Sequence, residues 1–482
     1  MFESIIDFFR GLYGMGTQNN AHPGEMVDFM LNDPITNEVI KVAWPAPRTD
    51  LPYTVLATKP PTLSNGCYIT LSKSTEYANS IIGKIRQPLN KWPGTNNLQV
   101  IPLAGKDLNA FYDRLHLKFF YAPDPVTKKM IYAASSTDVV SHEHGHGILD
   151  CLRPDFWNVQ NIEIWSFHEA FGDINAIMFM MQFDEMINYA LQQTGGDLRQ
   201  SNIISRLAEE LGLCIYHYKG GKDNPANIYL RDAVNNFSYV DPTTLPSDGD
   251  DDQLIAECHS FGRVWAGTWY LMFCGMYEQN KAAGQSPLDA AKAAKDLAYE
   301  YLIRSVVQAP NTPFFTDGVA RGILAVDKMN GSPYQAVILK AFQDKNVLRA
   351  YAHVNATQTN FDIVKGLGGD QGIYVEMGKV KVATIPEEKS LKVSDVLPRM
   401  GMTAMHINGI NMHDLEMTVA ADKYYEFDEH GHVVHQIVPD MDDVIAHAQA
   451  CLSFIHLKSD IGPDTDTLWE VQGNKIVRTL FV

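Results

Sequence analysis

Thr137-Asp138-Val139-Val140-Ser141-His142-Glu143-His144-Gly145-His146 is the stretch from which the rest of this chain is best understood. It contains His-Glu-x-x-His. On a helix, residues four apart lie on one face, so His142 and His146 can both reach one metal ion. Glu143 then projects beside the open coordination position, where it can take a proton from water. The five-residue pattern alone arises by chance in roughly a few per cent of such chains, so its surroundings have to decide. Val139 and Val140 form an apolar lead-in, and Gly147-Ile148-Leu149 continue the apolar face. His144, two positions from each histidine, points elsewhere on a helix and is expected to face solvent or to support the ligands from behind.

A centre of this kind needs a third protein ligand, with the fourth place left open. Glu169, in Ser166-Phe167-His168-Glu169-Ala170-Phe171-Gly172-Asp173, is the candidate. Asp173 lies one helical turn on, placed to accept a hydrogen bond from a ligand histidine. Phe167, Phe171, Ile174, Ile177 and Met178 imply a buried helix. Carboxylates buried there without a cation or a donor are costly, which separates this pair from an ordinary solvated one.

The 482 residues exceed one ordinary core, so two or three domains are expected. A composition of 45% hydrophobic and 20% charged residues is that of a folded globular protein. The formal charge of −18 argues against general affinity for nucleic acid or anionic membrane. No apolar run is long enough for a membrane span. The first residues carry Glu3 and Asp7 ahead of any basic residue, a poor secretory signal. Ile5, Phe8, Phe9 and Leu12 instead suggest a short amphipathic helix. Six scattered cysteines without CxxC read as small buried apolar residues. Cytoplasmic synthesis and folding is the default expectation, and leaderless export stays open.

Three regimes follow along the chain, giving an expected α+β class. Residues 1–137 form a β-rich N-terminal lobe, with Ser64-Asn65-Gly66 as a turn before a strand Cys67–Leu71. Leu115–Tyr121 and Met130–Ala133 read as a hairpin. Residues 138–349 form a helical lobe carrying the metal site, with amphipathic segments at Ser166–Leu191, Ile203–Tyr218, Cys258–Gln279, Pro287–Ala309 and Pro333–Asp344. Residues 350–482 are expected as a separate β-rich C-terminal domain of unknown role, with hairpins at Tyr424–Val438 and Leu468–Val482. The acidic loop Pro242–Asp252 could bind calcium, but it lacks the spacing of a defined site and reads first as a solvated loop. His430-x-His432-x-x-His435 straddles the first hairpin's turn and could bring two histidines to one face.

Asn109-Ala110-Phe111-Tyr112, the His142 stretch, His168–Asp173 and Glu257-Cys258-His259-Ser260-Phe261-Gly262-Arg263-Val264-Trp265 together resemble the thermolysin-type gluzincins and their fungalysin relatives. Four motifs in the family's order cover about residues 100–350, and Asp317–Asp327 and Ala336–Asp344 are similar to its closing helices. The resemblance implies a zincin peptidase fold and one zinc ion per chain on His142, His146 and Glu169. It implies peptide-bond hydrolysis with Glu143 as general base, most simply in an endopeptidase cutting before apolar residues. A narrow processing peptidase, an exopeptidase or a non-enzymatic binding module on the same scaffold is the alternative. The resemblance also implies that Asn109 and Ala110 lie on or beside the edge strand that pairs with substrate backbone. By the same comparison His259 donates to the developing oxyanion and Arg231 holds a substrate carbonyl. Asp173 would orient a ligand histidine. His168 stands where the family has asparagine, and the interval from His146 to Glu169 is a few residues longer than in thermolysin. Met180 stands where thermolysin-like enzymes carry a calcium-binding acid, so the paired calcium site is not expected although Asp138 persists. The sequence leaves the oligomeric state open.

Overall fold

In the computed structural model, which describes residues 21–36, 38–225, 228–349, 361–369, 372–377, 380–407, 409–459 and 468–481, Ser136 starts the helix that carries the motif. Its backbone is extended and its side chain accepts a hydrogen bond from the Val139 N–H at 3.4 Å, satisfying one orphan donor of the first turn. This motif helix spans Thr137–Leu152. The glutamate helix spans Ile162–Met180 and is capped by Asn161, whose Oδ1 accepts from Glu163 N at 2.8 Å. A third helix, Cys258–Ala282, is capped by Glu257, which accepts from Ser260 N at 2.9 Å.

These three helices are nested because small residues sit at their crossings. A Cβ on Gly172 would lie 2.7 Å from the His142 ring, and one on Gly262 would lie 2.9 Å from Glu169 Cβ. Only glycine lets the backbones come this close. Helices Pro287–Gln308 and Phe315–Met329 pack outside them and complete the apolar core.

The N-terminal region supplies a four-stranded sheet in the order Tyr53–Val55, Leu98–Ile101, His116–Phe119, Ala110–Tyr112. The first three strands are parallel neighbours and Ala110–Tyr112 pairs antiparallel at the edge. The expected turn at Ser64-Asn65-Gly66 and strand at Cys67–Leu71 are corrected: both lie in a helix, Thr62–Ile82. Cys67, Leu71, Ala78, Ile81 and Ile82 are buried at helical spacing, and that long-range period overrides the local turn signal. The hairpin beyond it is shifted. Tyr121–Pro123 pairs with Met130–Tyr132, and Asp124 Oδ1 accepts from Val126 N and Thr127 N at 2.9 and 2.6 Å to close the turn.

Helices occur where periodicity placed them at Pro287–Gln308 and Gln335–Asp344, while the segment read as Ser166–Leu191 is divided into Ile162–Met180 and Asp184–Gln193, and Ile203–Tyr218 is helical only over Glu209–Tyr218. The chain is thus a mixed α+β structure. Beyond residue 360, Lys423–Phe427 pairs with Val433–Ile437 and Trp469–Gln472 with Lys475–Arg478, both as hairpins. A helix at Met441–Ser459 accompanies them, which the hairpin signals did not foretell. Val393, Val419, Cys451, Leu452 and Phe481 belong to the same apolar core as the motif helix. The segment Ile5–Leu12 lies outside the described residues. All six cysteines are free, and no helix among the described residues is long and apolar enough to cross a membrane.

Asp138 is buried near Asp33 and Glu209. Burial, reinforced by Glu210, pushes the Asp33 carboxyl up to about 7. Burial and mutual repulsion push Asp138 well up, with Glu209 raised by burial and Asp33. Raised carboxyl pKa values mean that the folded state binds more protons than the unfolded one. Stability from this cluster is therefore fully present below about pH 4 and is lost as pH rises toward about 7. Glu209→Gln is expected to raise the melting temperature at pH 8 more than at pH 5, read by thermal scans. An equal loss of melting temperature at both values would show that repulsion among these acids does not govern the cluster.

Candidate metal centre

His142, Glu143 and His146 present ligand atoms within 4.8 Å of one another, all buried, and together could hold a metal ion. Glu169 closes the centre from the adjacent helix. Its Oε2 lies 3.4 Å from His142 Nε2, and its Oε1 lies 3.7 Å from His146 Nε2. Two ligand atoms each about 2.1 Å from a tetrahedral ion stand about 3.4 Å apart, so the spacing fits zinc chemistry. Both Glu169 oxygens, both His146 ring nitrogens and Glu143 Oε2 are buried without a hydrogen-bond partner. Unpartnered polar atoms are costly, and a shared cation at this point satisfies ligand atoms from both helices at once.

Asp173 stands beside His142. Its Oδ1 is 2.9 Å from His142 Nδ1, which it holds as a donor, turning Nε2 toward Glu169. Arg231, on the short strand Arg231–Asp232, donates through Nε to the same Asp173 oxygen at 3.0 Å. Its terminal nitrogen is 3.3 Å from His142 Nδ1. Arg231 thus braces the aspartate that braces His142, while the resemblance gave it a substrate carbonyl.

His259 begins the third helix and is the most open of these side chains. Its Nε2 is 3.4 Å from Glu169 Oε2, and its Nδ1 is 2.6 Å from Glu257 Oε1. Burial works against charging His259, but Glu169 and Glu257 outweigh it and hold the imidazole well above its usual pKa. Burial also pushes the Glu143 carboxyl up to about 7 against the pull of His142. For Glu169, burial is opposed by His259, His146 and His142, which keep it well below the usual carboxylate range.

Glu257 is a site residue that motif reading missed. Its signal was present in the sequence, as an acid two positions before a histidine at a helix start. Phe481 was also missed: its ring stacks on His168 at 3.9 Å and on His146 at 5.5 Å. Burying such a ring contributes roughly 1.5–3 kcal/mol. His144 is corrected, being fully buried rather than solvent-facing. It lies against Ser74 Oγ at 2.9 Å and Thr75 Oγ1 at 3.2 Å, since the Thr62–Ile82 helix covers that face.

Ala110 heads the edge strand, and Asn109 Oδ1 accepts from Ala110 N at 2.8 Å. His435 is turned to Asp317 at 3.2 Å and His432 to Asp428 at 3.3 Å. No group of three potential ligands among the described residues includes His430, His432 or His435. Set beside protein-family models and curated proteins, the chain has no match, so the centre itself is what speaks for its chemistry.

Proposed function

We propose that the chain is a zinc peptidase with a thermolysin-like zincin fold, holding one zinc ion on His142, His146 and Glu169. The observation that carries this is the convergence of three buried side chains, with the Glu169 oxygens 3.4 and 3.7 Å from Nε2 of His142 and His146 and with Glu143 and His259 alongside. An ion bound there would supply positive charge that acidifies water and polarises a peptide carbonyl.

The chain's own residues divide the remaining work. Glu143, buried with one oxygen unpartnered, takes a proton from water and passes it to the leaving amine. His259, oriented through Glu257, directs Nε2 toward the centre and stabilises the developing oxyanion. Asp173 and Arg231 fix the tautomer and tilt of His142. The family resemblance implies internal cleavage before apolar residues, and the same centre would serve an exopeptidase. A pure binding module would have no use for Glu143 held in this position.

The deciding experiment is metal analysis of the purified protein followed by digestion of a peptide library. Stoichiometric zinc and zinc-dependent cleavage are expected; a zinc-loaded chain that cuts no peptide would refute the proposal. His259→Phe is expected to keep zinc and lower turnover by ~10²–10³-fold, mostly in kcat. Steady-state kinetics showing parental kcat would remove the oxyanion role and leave the other assignments standing.

A further inference from the structure

Cys258 stands at the first position of its helix, between Glu257, which caps that helix, and His259. Its thiol is buried and takes no part in the work assigned above. Glu169, Cys258 and His259 each present a ligand atom within 4.8 Å of the others, a second triad beside that of His142, Glu143 and His146. Glu169 stands between the two. Its Oε1 is 3.7 Å from His146 Nε2, while its Oε2 is 3.4 Å from Nε2 of both His142 and His259. Neither oxygen has a hydrogen-bond partner. A carboxylate offers two oxygens and about four lone-pair sites, so one ion does not exhaust it.

We propose that Glu169, Cys258 and His259 form a second metal site, selective for soft divalent ions such as zinc in excess or cadmium, and that filling it switches the centre off. The site stands on its own geometry, whereas the switch rests on the peptidase proposal above. Ligand type sets the class of ion. Thiolate and imidazole suit zinc and softer ions, while calcium and magnesium take oxygen ligands. On binding, the Cys258 Sγ–H bond gives way to a metal–sulfur bond and the proton leaves to solvent. The thiolate charge, with the carboxylates of Glu169 and Glu257 close by, offsets the repulsion between two dications that share Glu169.

His259 is already set as a ligand. Glu257 Oε1 lies 2.6 Å from its Nδ1, which turns Nε2 toward Glu169. A carboxylate on the outer nitrogen is the usual support of a metal-bound histidine. Glu257 is itself fixed, since Ser260 N donates to its Oε2 at 2.9 Å, and Cys258 Sγ lies 3.7 Å from both Glu257 Oε1 and His259 Nδ1. An ion enters from the His259 side, where that side chain is 26% exposed while Glu169 and Cys258 are closed off. Once there, it occupies the His259 lone pair, so the ring no longer donates to an oxyanion, and it takes Glu169 Oε2 as well.

The test starts from the full chain with one zinc bound, dialysed free of excess metal, and adds zinc, cadmium or magnesium. Uptake is measured by equilibrium dialysis, thiolate bonding by the ultraviolet charge-transfer band of cadmium–sulfur, and turnover on a single peptide. One further zinc or cadmium ion per chain and a cadmium–thiolate band are expected, with a fall in kcat of ~10²–10³-fold, the size of losing one oxyanion donor. Magnesium is expected to do none of this. Cys258→Ala is expected to lose the band and to weaken the second ion by at least the ~10–100-fold that even an outer partner of a metal site commands. His259→Phe is expected to keep the first ion and lose the second, a comparison that holds even if Cys258→Ala does not fold. No second ion, or a band undiminished in Cys258→Ala, would overturn the site. Equal uptake of magnesium would overturn its selectivity, and two bound ions with undiminished turnover would overturn the switch. Uptake is read without substrate, so a chain that binds both ions and cuts nothing supports the site while refuting the peptidase proposal.

Discussion

Glu143→Gln is expected to retain zinc at the parental stoichiometry while turnover falls by ~10²–10⁴-fold or more. Glutamine keeps the volume and packing of the buried side chain but cannot accept and return a proton. Because His142, His146 and Glu169 come from positions that do not depend on Glu143, the metal should stay. Glu143 lies within reach of the two histidines on its own helix, and its Oε2 has no other partner. Removing the carboxylate therefore breaks no hydrogen bond of that oxygen and should not lower the melting temperature. It also takes a repelled charge from beside Glu169, since burial and that neighbour both disfavour the ionised form. Metal content by plasma emission, thermal scans and steady-state kinetics on one preparation check all three statements. A Glu143→Gln protein that digests peptides at the parental rate would refute the base assignment, whatever its zinc content.

Much of the framework was legible because long helices announce themselves. Cys258–Ala282 carries apolar residues through more than four turns and its ends fall close to those read from periodicity, whereas the segment read as Ser166–Leu191 is divided into Ile162–Met180 and Asp184–Gln193. The helix Thr62–Ile82 was hidden by its own sequence. Pro60 and Pro61 with Ser64-Asn65-Gly66 send a turn signal, and its buried face is mixed with Ser72, Ser74 and Thr75. Two of them are buried against another polar group: Ser74 and Thr75 satisfy His144 across the helix pair. A pattern scored on hydrophobicity alone misses a face built from hydrogen bonds.

The same limit shows at the site. His142, Glu143, His146, Glu169 and Asp173 were readable because helix geometry fixes what residues four apart can share. Glu257 depended on the backbone turning at a helix start, which places the acid beside His259 Nδ1. The bridge from Tyr112 to Phe481 had no local sign at all. Neither the edge strand nor the last hairpin encodes its partner, and only the folded chain brings them together beside His146.

Glu169→Ala is expected to release the metal and to abolish activity by that route, unlike the loss of the base. In the proposed centre the carboxylate is the one ligand the glutamate helix would supply, and two histidines alone would leave the ion half-coordinated. The loss should also be visible in stability. Binding to the folded state alone stabilises it by about 4 kcal/mol when free zinc is at 1,000 times its dissociation constant. Parental protein should therefore melt at lower temperature after chelation and regain its melting temperature on adding zinc. Glu169→Ala should show neither response. The variant also removes the carboxylate that attracts His259, His146 and His142, so the chelated parent is its proper reference. Judged against it, a stability change of either sign reports on the ring cluster, and only the missing zinc response reports on ligation. Stoichiometric zinc in purified Glu169→Ala would show that the ion is held elsewhere. The 3.4 and 3.7 Å approaches of Glu169 to the two histidines would then be ordinary contacts between a carboxylate and its neighbours.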